Sequence, residues 1–121
     1  MIQESSENYL ETILMLSRDG KIVRSVDIAN EMDFTRPSVS VAMKKLREKG
    51  FITVDAYGHI TLTEIGSKIA QSMYERHLLI SNWLISLGVE EKAALDDACR
   101  MEHVISEQSF LAIKTHVENL K

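Results

Sequence analysis

The chain has 121 residues, 45% of them hydrophobic and 26% charged, with one proline and five glycines. That is room for one compact domain, or for one small domain and a helical extension too short to fold alone, without a long flexible linker. The formal net charge of −4 excludes a protein that coats nucleic acid through bulk charge, but not a DNA reader whose basic residues are clustered. No apolar run approaches the roughly 20 residues of a membrane span. The start, Met1 to Glu7, is too polar and acidic for a signal peptide, and the lone Cys99 gives no disulfide framework and suits a reducing cytoplasm.

A first helix is predicted from about Ser6 to Ser17, where Tyr9, Leu10, Ile13, Leu14 and Leu16 form an apolar arc with Asn8 and Glu11 along one edge. Asp19-Gly20 ends it. Ser25 is the expected cap of a short helix, Val26 to Met32, and Asp33-Phe34 is a turn. Thr35 caps a second helix with Pro37 in its first turn, where a missing N–H costs nothing, and Gly50 stops it. Residues 51–54 and 59–62 are rich in β-formers around the turn Asp55-Ala56-Tyr57-Gly58 and read as a hairpin. Thr63 caps a long helix to about Leu87 with an inner stripe of Ile69, Met73, His77, Ile80, Leu84 and Leu87. Helices from about Glu90 to Ile105, and from Ser106 onward with Phe110, Ile113 and Val117 inward, complete the chain. The fold class is therefore mainly α with a small β-hairpin wing: a winged helix-turn-helix over residues 1–70 and a helical segment over 71–121.

The helix after Thr35 is the most basic part of an acidic chain. In a helix-turn-helix the second helix enters the major groove with its N-terminal residues at the base edges. Here those are Thr35, Arg36, Pro37, Ser38 and Ser40. Arg36 has the bidentate geometry for guanine, and Lys44, Lys45 and Arg47 are suited to hold phosphates and set register. Tyr57 and His59 at the hairpin are expected to reach the flanking backbone or minor groove. A winged helix can also serve protein recognition, which stays open at this point.

Cys99, Glu102 and His103 stand at i, i+3 and i+4, on one helix face. Thiolate, carboxylate and imidazole suit a divalent transition metal. The spacing alone leaves a purely structural reading open, as does His77 in its apolar stripe. Glu102 on an inner face is harder to explain without a cation or a shifted pKa. A cysteine-dependent enzyme, with Cys99 as nucleophile and His103 as base, is disfavoured: the pair shares one helix and no oxyanion-hole loop or glycine-rich cradle is visible.

Taken together, the stretches Asp97 to Val104, Glu7 to Glu11 and Tyr74 to His77 resemble the diphtheria toxin repressor family, which includes iron-dependent and manganese-dependent regulators. The resemblance covers nearly the whole chain. It implies a cytoplasmic repressor whose homodimer binds a palindromic DNA operator when metal links the two halves, with no membrane and no catalysis. Carried over by position, Cys99, Glu102 and His103 match ligands of the iron branch, and Glu11 and His77 match ligands of the manganese branch. Asn8 stands where the branches have methionine or aspartate. Ser81 and Leu95 replace an acid and a histidine of the iron branch's second site. The chain ends near residue 121, so the iron branch's SH3-like domain is not expected. The thiolate favours iron(II), ahead of manganese(II) and zinc(II). Asn8 and the incomplete second site keep a metal-independent regulator of the same fold as the alternative. Dimerisation is expected through Trp83, Leu84, Ile105, Phe110 and Leu111.

Overall fold

The computed structural model describes residues 4–120, with the side chain of residue 4 excepted. The elements are α1 (Glu4–Leu16), a 3-10 turn (Arg18–Gly20), α2 (Ser25–Met32), α3 (Arg36–Glu48), β1 (Ile52–Val54), β2 (Ile60–Leu62), α4 (Glu64–Ser86), α5 (Glu91–Val104) and α6 (Glu107–Asn119). The chain divides into two units, one through Gln71 and one from Ser72, with α4 contributing to both. Among the described residues no helix is long and apolar enough to cross a membrane.

The first unit closes around Leu10 and Ile13 of α1, Ile28 and Ala29 of α2, Val39, Met43 and Leu46 of α3, and Ile52 and Ile60 of the hairpin. The apolar residues recur at three and four along each helix, so one face of each turns inward. The local signals follow from backbone bookkeeping. Thr35 accepts a hydrogen bond from the Ser38 N–H, as an N-cap does. α3 ends in a Schellman motif: Gly50 adopts φ +82°, its N–H reaches Arg47 O, and the Phe51 N–H reaches Leu46 O. The cap of α2 differs from expectation by one residue. Ser25 is already helical, and Arg24 is the N-cap, its backbone N–H donating to Asp27.

The hairpin is antiparallel with Ile52 opposite Leu62 and Val54 opposite Ile60. Ile60 also bridges to Val23, which covers part of the free edge of β2. Thr63 then starts α4, donating to Gly50 O and accepting from the Gly66 N–H. Gly66 is required by close approach: a Cβ there would lie 2.0 Å from the Phe51 carbonyl oxygen.

In the second unit, Ser106 caps α6 by accepting from the Ser109 N–H. The buried stripe of α5 is Ala94, Ala98 and Glu102, at i, i+4 and i+8. Two alanines allow close packing, and the third position of the same stripe is a carboxylate. The stripe of α4 departs from the expected one at its end, where Leu87 is exposed. Leu87 follows the last residue of α4 and leads into the αL turn at Gly88, so it no longer shares the inward face.

Candidate metal centre and nucleic-acid interface

Within the second unit, α4 and α5 bring four donor-bearing side chains together. The Glu102 side chain is 0% exposed, and each of its oxygens meets an imidazole. His77 Nδ1 lies 3.1 Å from Oε2, and His103 Nε2 lies 3.2 Å from Oε1. Donor atoms of Cys99, Glu102 and His103 lie within 4.8 Å of one another, with Cys99 at the exposed end. A carboxylate taken wholly out of water is costly unless cations or strong donors face it. A thiol, a carboxylate and imidazoles are also the donor types that divalent transition metals take, so the residues present fit such an ion.

Sequence reading missed Arg76, which is buried beside this centre. Its guanidinium donates to the carbonyls of Glu102 and Ile105 at 3.1 and 3.0 Å, and to Glu107 at 2.7 Å. It also lies over the Phe110 ring, 5.2 Å from the centroid. Arg76 thereby satisfies carbonyls at the C-terminus of α5, where the helix dipole favours a cation, and ties α4, α5 and α6 together. Ser81 is buried too and donates to His77 O at 2.7 Å, fixing the backbone beneath that histidine. Leu95 is exposed, and neither it nor Ser81 carries a carboxylate or imidazole for a second site.

Of the apolar residues expected to face a partner, Phe110 departs from the others. It is 4% exposed within one chain, under Arg76, so its burial is already complete. Trp83, Leu84 and Ile105 are half-buried, and Leu111 is 48% exposed. Among the described residues the Trp83 indole N–H is buried without an acceptor, and the Trp83 side chain lines a recess of about 340 Å³ with Leu79, Asn82, Ser86, Val117 and Leu120.

In the first unit, Thr35, Arg36, Pro37, Ser38, Ser40, Lys44, Lys45 and Arg47 are all exposed. Thr35 is partly committed to its cap and donates to the Ser38 hydroxyl. The basic residues sit on two flanks of α3. Ser40, Lys44 and Arg47 line a cleft of about 210 Å³ with Ser25 and Val54. Lys45 and Lys49 line one of about 190 Å³ with Ser5, Ser6, Tyr9 and Ser38. Val41, unremarked in the sequence, is exposed on α3. Tyr57 stands 79% exposed at the wing tip. His59 does not reach outward with it. The His59 ring turns back to Arg24, because Asp55 Oδ1 accepts both the Tyr57 and His59 backbone N–H groups and folds the turn inward. Those bonds hold the Asp55 carboxyl below the usual carboxylate range, the His59 N–H contributing most.

Comparison with known proteins agrees with this division. Residues 1–60 match the family model "Iron dependent repressor, N-terminal DNA binding domain", and residues 63–121 match "Iron dependent repressor, metal binding and dimerisation domain". An uncharacterized HTH-type transcriptional regulator of Methanocaldococcus jannaschii is 30% identical, covering 99% of this chain and 98% of that one. The transcriptional regulator MntR of Escherichia coli is 35% identical, covering 93% of this chain and 72% of that one. The solved structure of the manganese regulator SloR superposes with a TM-score of 0.82 at 30% identity, covering 93% of this chain. This chain spans about half, 53%, of that structure.

Proposed function

The chain belongs to the iron-dependent repressor family of metal-dependent transcriptional regulators, and from that membership we propose that it senses iron(II) through Cys99, Glu102, His103 and His77. The observation that carries this reading is Glu102, a fully buried carboxylate with an imidazole at each oxygen and a thiol alongside. Asn8 enters the proposed ligand set on the family resemblance, and Glu11 on that resemblance and on being a buried carboxylate, 7% exposed. A bound divalent cation would supply positive charge to the buried carboxylate. Cys99 biases the set toward iron(II) over manganese(II), because thiolate is the softer ligand. His77 and His103 bind metal only as neutral imidazoles, so affinity falls as pH drops. Ligands drawn from both halves of the chain would couple ion binding and operator binding reciprocally.

The DNA partner in this reading is a palindromic operator bound by a homodimer in the cytoplasm, with half-sites about 34 Å or a multiple apart. Arg36 reads a base edge and Val41 meets a thymine methyl. Lys44 and Arg47 on one flank of α3, and Lys45 on the other, hold the two phosphate walls of the groove, with Tyr57 at the flanking backbone. The proposed dimer face takes Trp83, Leu84, Ile105 and Leu111, with Phe110 as internal support. Anaerobic titration with Fe(II), Mn(II) and Zn(II), read as binding to the chain's own upstream DNA, tests the reading. Strongest stimulation is expected from Fe(II). Stimulation by manganese but not iron overturns the metal assignment, and equal affinity with and without chelator overturns the switch.

A further inference from the structure

The wing and the start of α2 are joined by three side chains that have no place in the interface described above. His59 Nδ1 lies 3.3 Å from Asp55 Oδ2, and His59 Nε2 lies 2.7 Å from a guanidinium nitrogen of Arg24. A guanidinium only donates, so Nε2 must offer its lone pair and the ring proton must sit on Nδ1, facing Asp55. This arrangement therefore requires His59 to be the neutral Nδ1–H tautomer. Arg24 spends one of its five N–H donors on the ring, and its backbone is fixed by Asp27. Arg24 directly precedes Ser25, which lines the cleft with Ser40, Lys44 and Arg47, and Val54 of that cleft directly precedes Asp55.

We propose that Arg24 is a further DNA-backbone cation on the flank of Lys44 and Arg47, and that His59 is the positioning residue that aims it. The proposal rests on the reading that α3 lies in the major groove. Protonating His59 removes the acceptor and sets an imidazolium against the guanidinium, so the link opens. The charged and titratable groups facing His59 are Arg24 from the segment before α2, Asp55 and Tyr57 from the wing, and Lys21, which lines the same groove as Asp55 and His59, while Asp27 of α2 accepts from the Arg24 backbone N–H. Asp55 offsets one of the two cations brought together, and the other remains.

Glutamine at position 59 can present an oxygen acceptor to Arg24 and does not titrate. The test compares wild type, H59Q and R24A in binding to a duplex of the chain's own upstream DNA, with saturating metal, at about pH 8 and about pH 6. His77 and His103 are shared by all three proteins, so any fall in metal binding is common to them. Wild type is expected to lose about tenfold more affinity than H59Q between the two pH values, a charge-assisted contact being worth at least that factor. At the higher pH, R24A is expected to bind more weakly, with a salt slope smaller by about one. Parallel pH profiles for wild type and H59Q overturn the His59 link, and an unchanged R24A salt slope overturns the Arg24 contact. Wild-type affinity in a K44A/R47A double variant would instead overturn the reading of α3 beneath the proposal.

Discussion

The two units place their chemistry differently with respect to their own cores. In the first, the core cluster is apolar, with Glu11 of α1 the one buried charged side chain among its described residues, and the residues assigned to DNA stand on the outside of α3 and the wing. In the second, the buried set includes Glu102, Arg76 and Ser81 alongside Met73, Ile80, Ala94, Ala98 and Phe110. The proposed function of the first unit can therefore be altered without touching what holds the unit together. That of the second cannot, because the groups that would hold metal are also the groups whose partners must be satisfied for the helices to pack. This separation is what substitution experiments are best placed to break.

The largest effect is expected at a position with no binding role. Gly66→Ala places a methyl 2.0 Å from the Phe51 carbonyl oxygen, a contact that backbone must move to relieve. Overpacking of this kind costs typically 1–3 kcal/mol and occasionally more, and the rigid acceptor puts this site at about 3 or above. Denaturant unfolding measures it, and a loss under about 1 kcal/mol would show that α4 shifts freely over the hairpin. Arg76→Met comes next. It keeps an unbranched side chain but leaves the Glu102 and Ile105 carbonyls without their donor and breaks the Glu107 pair. A stability loss of about 2 kcal/mol is expected, together with metal affinity weakened by roughly 10-fold or more, since supporting residues tune ligands to that degree. Calorimetric melting and metal titration should move together. A normal melt with weakened metal binding would contradict the coupling of packing and function argued for this unit.

Arg36→Ala is the counterpart in the first unit. The side chain is exposed at the start of α3 and no described contact depends on it. Stability should stay within about 0.5 kcal/mol of wild type, while operator affinity falls by about 1–3 kcal/mol, with relaxed preference at one base pair. Unchanged affinity in a shift assay would remove Arg36 from the interface.

The same contrast governs what the sequence made legible. In the first unit the decisive signals were local. Thr35 before Arg36-Pro37, Gly50 after Lys49, and the alternation around Asp55 to Gly58 each follow from the backbone groups that these residues satisfy or free. The exception is α2, where Ser25 looked like the cap but is the first helical residue, because Asp27 bonds to the backbone of Arg24 instead. In the second unit the spacing of Cys99, Glu102 and His103 exposed one face of one helix, yet Arg76 went unread. Its burial depends on carbonyls 26 and 29 residues away, which no periodicity reports. Phe110 was misplaced for the same reason, since its cover is Arg76. His59 looked outward-facing because nothing local points to Arg24, 35 residues earlier.

The smallest effect concerns Asp55, where local structure and the wing's link to α2 meet. Its carboxyl is held below the usual carboxylate range, first by the His59 backbone N–H and further by the Tyr57 N–H and the facing His59 and Arg24 side chains, against an opposing desolvation that is the second-largest influence. A group whose pKa is lower folded than unfolded stabilises the fold above the unfolded value, about 3.9 for an aspartate, and loses that contribution as pH falls through the lowered folded value. Asp55→Asn keeps an oxygen for both backbone N–H groups and removes the charge. The variant should therefore unfold at a slightly lower denaturant concentration than wild type at about pH 7, and the two midpoints should converge below about pH 4 as the wild-type carboxyl protonates. A gap that persisted unchanged to about pH 3 would mean that the carboxylate charge contributes nothing and that shape alone distinguishes the two side chains. Because the turn is exposed and screened by solvent, this gap should be far smaller than the loss at Gly66 or Arg76. That ranking would confirm that the wing, like the outer face of α3, is built on the core of the first unit rather than into it.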